Sequence, residues 1–435
     1  MMYILILLAS VWGVIAWRRP RWAVLCFPAL LPVYLLRTKI GPLPTTLLEF
    51  LWLATLLGVT LRRGWGVWIA GFIRTRPWRI GLILWCLATA LAVAVAPDHI
   101  AALGLWRAYV LEPIVYFILL NGYLQDEKDR RMVINSLIAA VAFIAAWTVM
   151  QFVTGRGIPH PWDTNILTRR ATGPFPFPNA VALFCASIAA LCFGFALFDA
   201  PRFTLPVSRF WLWLGFICAS VATLLAKSLG GSLAILSAVF VALVIKRKTR
   251  WYAVAAALLG ILLILGIPVL RGPAVKTLSF HDWSGKVRLI MWQETWHMLK
   301  DRPLLGAGLG AYPTVFKPYH KATYIEIFQY PHDILLNLWS ETGLLGILAF
   351  GWIVATWLGL ANRQQRSDER GAMNGQSPTA HGLPYLLPLL VILIHGLVDV
   401  PYFKNDLAFL FWILVALATL PSDYRTKSGV TPDST

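Results

Sequence analysis

Apolar runs separated by short polar stretches make up most of the chain. They fall at 2–17, 22–37, 44–61, 79–96, 100–122, 132–153, 178–198, 209–226, 229–245, 251–270, 333–358, 383–400 and 407–420. Most approach the ~20 residues with which an α-helix crosses a hydrocarbon core. The runs do not alternate apolar and polar positions as barrel strands do, and in lipid only a helix or a closed barrel satisfies the backbone. The pattern predicts an all-α polytopic membrane protein with about 12–13 transmembrane helices. That range reflects the two short first runs and the segment 65–73, which suits the membrane interface.

Basic residues orient these spans. Arg18, Arg19 and Arg21, the group from Arg62 to Arg79, Lys128 with Arg130 and Arg131, the cluster Lys246 to Arg250, and Arg363, Arg366 and Arg370 fall on alternate loops. Short loops rich in Lys and Arg stay in the cytoplasm. The first apolar run precedes its basic cluster, the reverse of a secretory signal, and is expected to persist as a span with its N-terminus outside. The expected organisation is N-terminal spans over 1–270, a large extracytoplasmic loop with amphipathic helices over 271–331, C-terminal spans over 332–420 and a cytoplasmic tail over 421–435. The polar stretches 362–382 and 421–435, rich in Gly, Ser and Pro, read as disordered connectors.

Of 435 residues, 58% are hydrophobic and 13% charged, against roughly a quarter charged in soluble proteins. The formal net charge is +18. Two outer loops are long, and the loop 271–331 alone carries eight Lys or Arg, from Arg271 to Lys321. Long translocated loops are exempt from the orientation rule. Their charge fits either a surface against anionic headgroups or a site for a large polyanion. The five cysteines lie inside apolar runs, with neither disulfide nor zinc spacing.

Within the large loop, Val287, Ile290, Met291, Thr295, Met298 and Leu299 recur at helical spacing, predicting an amphipathic helix that lies on the membrane and ends by Pro303, with Arg288 near its start. The following "GAGLG", 306–310, lacks the strand before it and the Lys-Ser or Lys-Thr after it that a nucleotide loop needs. It reads as a turn that brings backbone close to a partner. Next comes "YPHDILLNLWSETGLLG". Here His332 heads a span, and Asn337 and Glu341 share one helix face. A neutral imidazole at a wet interface suits proton acceptance near neutral pH, or simply bonds to headgroups.

Other polar side chains gather on the same side. His395 and Asp399 stand one helical turn apart in "HGLVDVPYFK", Arg169, Arg170 and Asn179 lie in "TRRATGPFPFPNAVA", and Lys227 lies in "AKSLGGS". Ionisable groups at membrane depth default to function. Glu49, Arg107 and Glu112 belong to that category too, with ion pairing between helices as the competing reading.

Three of these segments resemble the motifs of the O-antigen ligase and polymerase superfamily. "RRATGPFPFPNAVA" is similar to R-x-x-G-x-F-x-x-P-N, "GKVRLIMWQETWHMLKDRPLLGAGLGAY" to R-x-x-x-W followed by D-x-P-L-x-G-x-G, and "HDILLNLWSETGLLG" to H-N-x-x-L-x-x-x-x-E-x-G-x-x-G. Order and spacing agree across roughly 165–400. Two positions depart from the pattern. Asp333 replaces the usual Asn, and "KSLGGS" lacks the Arg of the S-R-G motif, so that Lys227 brings charge without a bidentate fork.

The resemblance implies a GT-C-like glycosyltransferase at the outer face of the bacterial inner membrane. It would move a glycan from undecaprenyl pyrophosphate to an acceptor hydroxyl, with inversion and with neither metal nor nucleotide cofactor. His332 would be the base, Arg288 and Arg170 would hold the pyrophosphate, and Arg169 and Lys227 would assist. His395, Asp399 and Glu341 would complete the substrate site. The partners implied are the lipid-linked donor, a glycan, glycolipid or other hydroxyl acceptor, and membrane lipids, with no nucleic acid. Ligase and polymerase stay open. A transporter or flippase for an anionic substrate, relaying protons through Glu49, Glu112, Glu341 and Asp399, is the reading from another class.

Overall fold

The computed structural model describes residues 2–40, 43–198, 206–373 and 382–419. The chain is a multi-pass helical membrane protein, and most of the apolar runs fall on α-helices; the run 22–37 is α-helical only to Cys26 and a 3-10 helix over Phe27–Leu35, and the run 44–61 begins in a strand. The helices, in chain order, are α1 (Met2–Arg18), α2 (Pro20–Cys26), α3 (Leu47–Arg63), α4 (Gly66–Arg74), α5 (Arg79–Val95), α6 (His99–Trp106), α7 (Glu112–Tyr123), α8 (Glu127–Thr154) and α9 (Pro178–Phe198). They continue as α10 (Pro206–Leu225), α11 (Leu229–Ile245), α12 (Arg250–Gly266), α13 (Pro268–Leu278), α14 (Trp283–Asp301), α15 (Tyr312–Phe316), α16 (Ile334–Met373), α17 (Leu383–Gly396) and α18 (Asn405–Thr419). Among the described residues, five stretches are long and apolar enough to cross a membrane: Arg76–Val95, His99–Tyr123, Glu127–Thr154, Pro178–Phe198 and Ile334–Arg363. The pair Arg250–Gly266 and Pro268–Asp301, bent by 101°, makes a sixth if it is one span.

Helix α9 lies at the centre, apolar on every side and buried along nearly its whole length, as a helix surrounded by other helices must be. It packs against α8, α10, α11, α17 and α18. A second, smaller core lies toward the outer loop. Met291, Met298, Leu299, Leu309, Tyr312 and Phe316 pack there on Ala92, Ala96 and Ala102 at the ends of α5 and α6. The amphipathic helix over 283–301 thus forms with the expected stripe, but its apolar face covers protein rather than lipid. Burial of each Met in that stripe is worth about 1.5–3 kcal/mol.

Three expectations are corrected. The fold is not purely helical: strands β1 (Arg37–Ile40) and β2 (Leu43–Thr46) pair antiparallel, Arg37 opposite Thr46 and Ile40 opposite Leu43. Thr38, Ile40, Thr45 and Thr46 favour extended backbone. The stretch read as a connector from 362 is helical through Met373, because Gln, Arg and Glu are good helix formers. The rest of that connector and the tail lie outside the described residues. Finally, the span beginning at His332 is not one straight helix, since Gly343 inside α16 has φ 67° and ψ −172°.

The break at Gly343 docks the "GAGLG" turn. A Cβ at Gly343 would stand 2.3 Å from the Leu304 carbonyl oxygen, and one at Gly306 2.2 Å from that of Trp339. Gly306, Gly308 and Gly310 all have positive φ, a backbone region that glycine enters freely. Ala307 N donates to Ser340 O at 2.7 Å and Leu309 N to Ala92 O at 3.1 Å. The partner that this turn approaches is therefore the chain's own α16 and α5.

Candidate functional site

A cavity of about 570 Å³ opens between α11, α13, α14 and α17. Arg170, Asn179, Lys227, Arg288, His395 and Asp399, from distant parts of the chain, all contribute to its wall.

Arg288 lies on α14, where Nε donates to Val398 O at 2.9 Å and Nη1 to Ser284 O at 3.3 Å and to the Ser284 hydroxyl. One turn on, Trp292 Nε1 donates to Pro331 O at 2.9 Å, so the R-x-x-x-W spacing ties α14 both to the cavity and to the residue before His332. Arg170 Nε donates to Ala226 O at 3.1 Å and Nη2 to Asn179 Oδ1 at 2.8 Å. Arg170 Nη1 and Arg288 Nη2 make no protein hydrogen bond among the described residues. Burial, and then the nearby Arg288 guanidinium, pull the Arg170 pKa below its ordinary value. Two guanidinium groups that line one cavity, each with free donors, form a place for an anion.

Asn179 links this cation pair to a carboxylate: its Nδ2 donates to Asp399 Oδ2 at 3.1 Å. The other oxygen, Asp399 Oδ1, accepts from Val400 N at 2.9 Å and stands 3.5 Å from His332 Nδ1. That separation is an ion-pair distance without hydrogen-bond geometry, and His332 Nδ1 is buried with no bonded partner. The His332 side chain is 17% exposed. Phe328 and Tyr330 pack edge-on against its ring at centroid distances of 5.1 and 4.8 Å. Its φ of 53° is uncommon for a residue with a side chain, and strain of this kind concentrates at functional sites.

Asp333, next in the chain, caps α16: its Oδ1 accepts from Leu336 N at 2.8 Å. Asn and Asp serve equally at an N-cap, so the departure from the H-N pattern keeps the local structure. Although α17 ends at Gly396, Asp399 N still donates to His395 O at 3.0 Å, so the two residues stand one turn apart as expected. The Asp399 carboxylate turns to His332 and Asn179. His395 is buried against α11, where Gly230 and Gly231 of "KSLGGS" allow the approach: a Cβ at Gly230 would stand 3.1 Å from His395 Cδ2.

The remaining candidates are placed as follows. Lys227, at φ 49°, lines the cavity, with its ammonium donating to Leu167 O. Arg169 stands outside the cavity wall; Nη1 donates to Phe152 O at 2.7 Å and Nε to Thr164 O at 3.3 Å, tying the outer loop to the end of α8. Glu341 is buried and accepts from Gly310 N, so it holds the "GAGLG" turn rather than facing the cavity. The sequence pattern does not single out Lys404. Its Nζ is buried without a hydrogen-bond partner, 4.0 Å from the ring centroid of Phe177.

Among the described residues, no group of three or more His, Cys, Asp or Glu side chains is arranged to hold a metal ion. Residues 214–351, from α10 into α16, match the O-antigen ligase family. Lys227, Arg288, His332 and Glu341 fall within the matched segment, and Arg170, His395 and Asp399 outside it. No curated protein matches the chain.

Proposed function

We propose that this chain, whose segment similar to the O-antigen ligase family holds Arg288 and His332, transfers a glycan from undecaprenyl pyrophosphate to a hydroxyl of an acceptor at the outer face of the bacterial inner membrane. In this reading the shorter apolar helices are further crossings, about 12–13 in all, in a GT-C-like arrangement. The large loop 271–331 and the turns on its side of the membrane carry the site.

The observation that carries the proposal is the convergence of Arg170 and Arg288 on one cavity, linked through Asn179 and Asp399 to His332. The leaving pyrophosphate gains negative charge in the transition state, and guanidinium groups fixed in advance by protein bonds stabilise that charge without reorganising. Arg170 Nη1 and Arg288 Nη2 supply the free donors, and Lys227 adds positive charge. On the other side, His332 takes the proton of the acceptor hydroxyl as the oxygen attacks the anomeric carbon. The bond from that carbon to the pyrophosphate oxygen breaks as the new glycosidic bond forms, which inverts the anomeric centre. Asp399 stabilises the imidazolium, as a carboxylate behind a catalytic histidine does. No step calls on a metal or nucleotide.

Apolar side chains of the same wall, Leu229, Leu233, Leu278 and Leu397, suit the lipid part of the donor. The test uses purified protein with an undecaprenyl pyrophosphate-linked oligosaccharide and a panel of hydroxyl acceptors. Acceptor-dependent product with inverted linkage supports the reading, and the acceptor that works separates ligase from polymerase. Absence of product with every acceptor, from folded protein, counts against it.

A further inference from the structure

A second polar cluster lies where α3, the α6–α7 junction and α18 meet. Arg107 Nη2 stands 2.6 Å from Glu49 Oε2, and Nη1 stands 3.4 Å from Glu112 Oε1. Thr45 Oγ1 donates to Glu49 Oε2 at 2.7 Å, and Asn405 Nδ2 donates to Glu49 Oε1 at 2.9 Å. These two ion pairs and two hydrogen bonds fit a structural role but leave two atoms over. Glu112 Oε2 and Asn405 Oδ1 are buried with no hydrogen-bond partner, a costly condition for a carboxylate and an amide.

Two further observations point outward from the cluster. Residues Arg107–Leu111 form a π-helical turn, an insertion frequent at functional sites. The Arg107 side chain is 42% exposed although it sits in the apolar stretch His99–Tyr123. A guanidinium so exposed at that depth is costly against lipid and belongs on a water-filled crevice.

The chemistry of the orphans selects the ligand. Both are acceptors, while the cluster's guanidinium is already paired with two carboxylates. A phosphate would bring only acceptors and meet those carboxylates, and a further cation would compete with Arg107. Neutral hydroxyls donate without either conflict. The position is also suitable. Asn405 follows Asp399 by six residues, a reach of at most roughly 20 Å, and between them Tyr402 OH donates to Tyr109 O in the π turn at 2.9 Å.

We propose that the Glu49–Arg107–Glu112–Asn405 cluster binds sugar hydroxyls of the acceptor glycan, with Glu112 Oε2 and Asn405 Oδ1 accepting from them. This inference rests on the glycan-transfer reading for the name of the ligand's role, but not for its chemistry.

The test is titration calorimetry on the full chain in lipid nanodiscs, with two probes: lipid A–core oligosaccharide freed of its acyl chains, and inorganic pyrophosphate. Glu112→Gln preserves shape and Asn405→Ala removes the amide, and unfolding temperatures report whether each variant folds. Each folded variant is expected to weaken the oligosaccharide about tenfold, as loss of a hydrogen bond to such a group implies, and to leave pyrophosphate binding unchanged. In the transfer assay the acceptor KM rises and the donor KM does not. No oligosaccharide binding by the wild type, or equal affinity in the folded variants as ordered water alone would give, overturns the proposal. Oligosaccharide binding lost in the variants, from protein that transfers to no acceptor, supports the cluster while overturning the transfer reading.

Discussion

His332 Nδ1 and Asp399 Oδ1 stand 3.5 Å apart, the one at the entrance to α16 and the other just past the end of α17. Asn179 and Arg170 continue the line from the far carboxylate oxygen. His332 and, through Asn179, the Arg170 guanidinium are thus connected to one carboxylate, and the proposed roles of these residues have separate expected signatures.

Asp399→Asn keeps the size of the side chain and removes the charge that, in the proposed mechanism, stabilises the imidazolium. In the transfer assay kcat is expected to fall about 10²-fold, within the range general-base catalysis supplies, with donor KM little altered. A loss confined to donor KM would place Asp399 with the pyrophosphate instead.

Arg288→Lys removes the planar fork that reaches Val398 O and Ser284 while leaving a cation. Because a lysine donates from a single centre, donor binding and turnover should weaken together by about tenfold or more, as the loss of a charged hydrogen bond predicts. Steady-state kinetics with varied donor would measure this; unchanged constants would leave Arg288 as a surface charge.

The adjacent arginines should behave differently. Arg170 faces the cavity, whereas Arg169 ties the outer loop to the carbonyl oxygens of Phe152 and Thr164. Arg170→Gln is expected to cut turnover by about tenfold. Arg169→Gln should mainly lower the unfolding temperature, the effect of losing structural bonds worth about 0.5–3 kcal/mol. Equal kinetic losses in both variants would contradict this division.

The outer loop should also respond to pH. Burial lowers the His320 pKa, but the hydrogen bond to Glu294 at 2.9 Å and that to the Ile325 carbonyl at 2.8 Å outweigh it, so the net shift is upward from 6.5. Glu294 also accepts from Lys321 N and Ala322 N. A raised value in the folded state means that the stabilisation is fully present below pH 6.5 and is lost as pH rises through the folded value. Hydrogen exchange at residues 317–327 should accelerate over that upper window beyond its intrinsic pH dependence. In Glu294→Gln the extra acceleration should disappear; its persistence would assign the effect elsewhere.

The helices were legible because apolar runs of membrane length have few other solutions, and the stripe on α14 because its spacing is local. The three motifs were legible as residue types in order. Their mutual geometry was not. His395 and Asp399 are one turn apart, as their spacing suggests, but the carboxylate finds a partner in Asn179, which the chain brings back from far upstream. Glu341 looks like a member of the site because it shares the helix with His332, but the break at Gly343 docks the "GAGLG" turn on it. Glu49, Arg107 and Glu112 can be suspected singly from their depth. That Asn405 joins them depends on how α18 packs, which no local pattern encodes.

The most direct test of the central claim is release of undecaprenyl pyrophosphate by purified protein carrying His332→Ala, compared with wild type, with and without acceptor. The account predicts acceptor-dependent release by wild type and a loss on the order of 10²–10⁴-fold in the variant, with donor binding retained. Release that continues at the wild-type rate without His332 would contradict it.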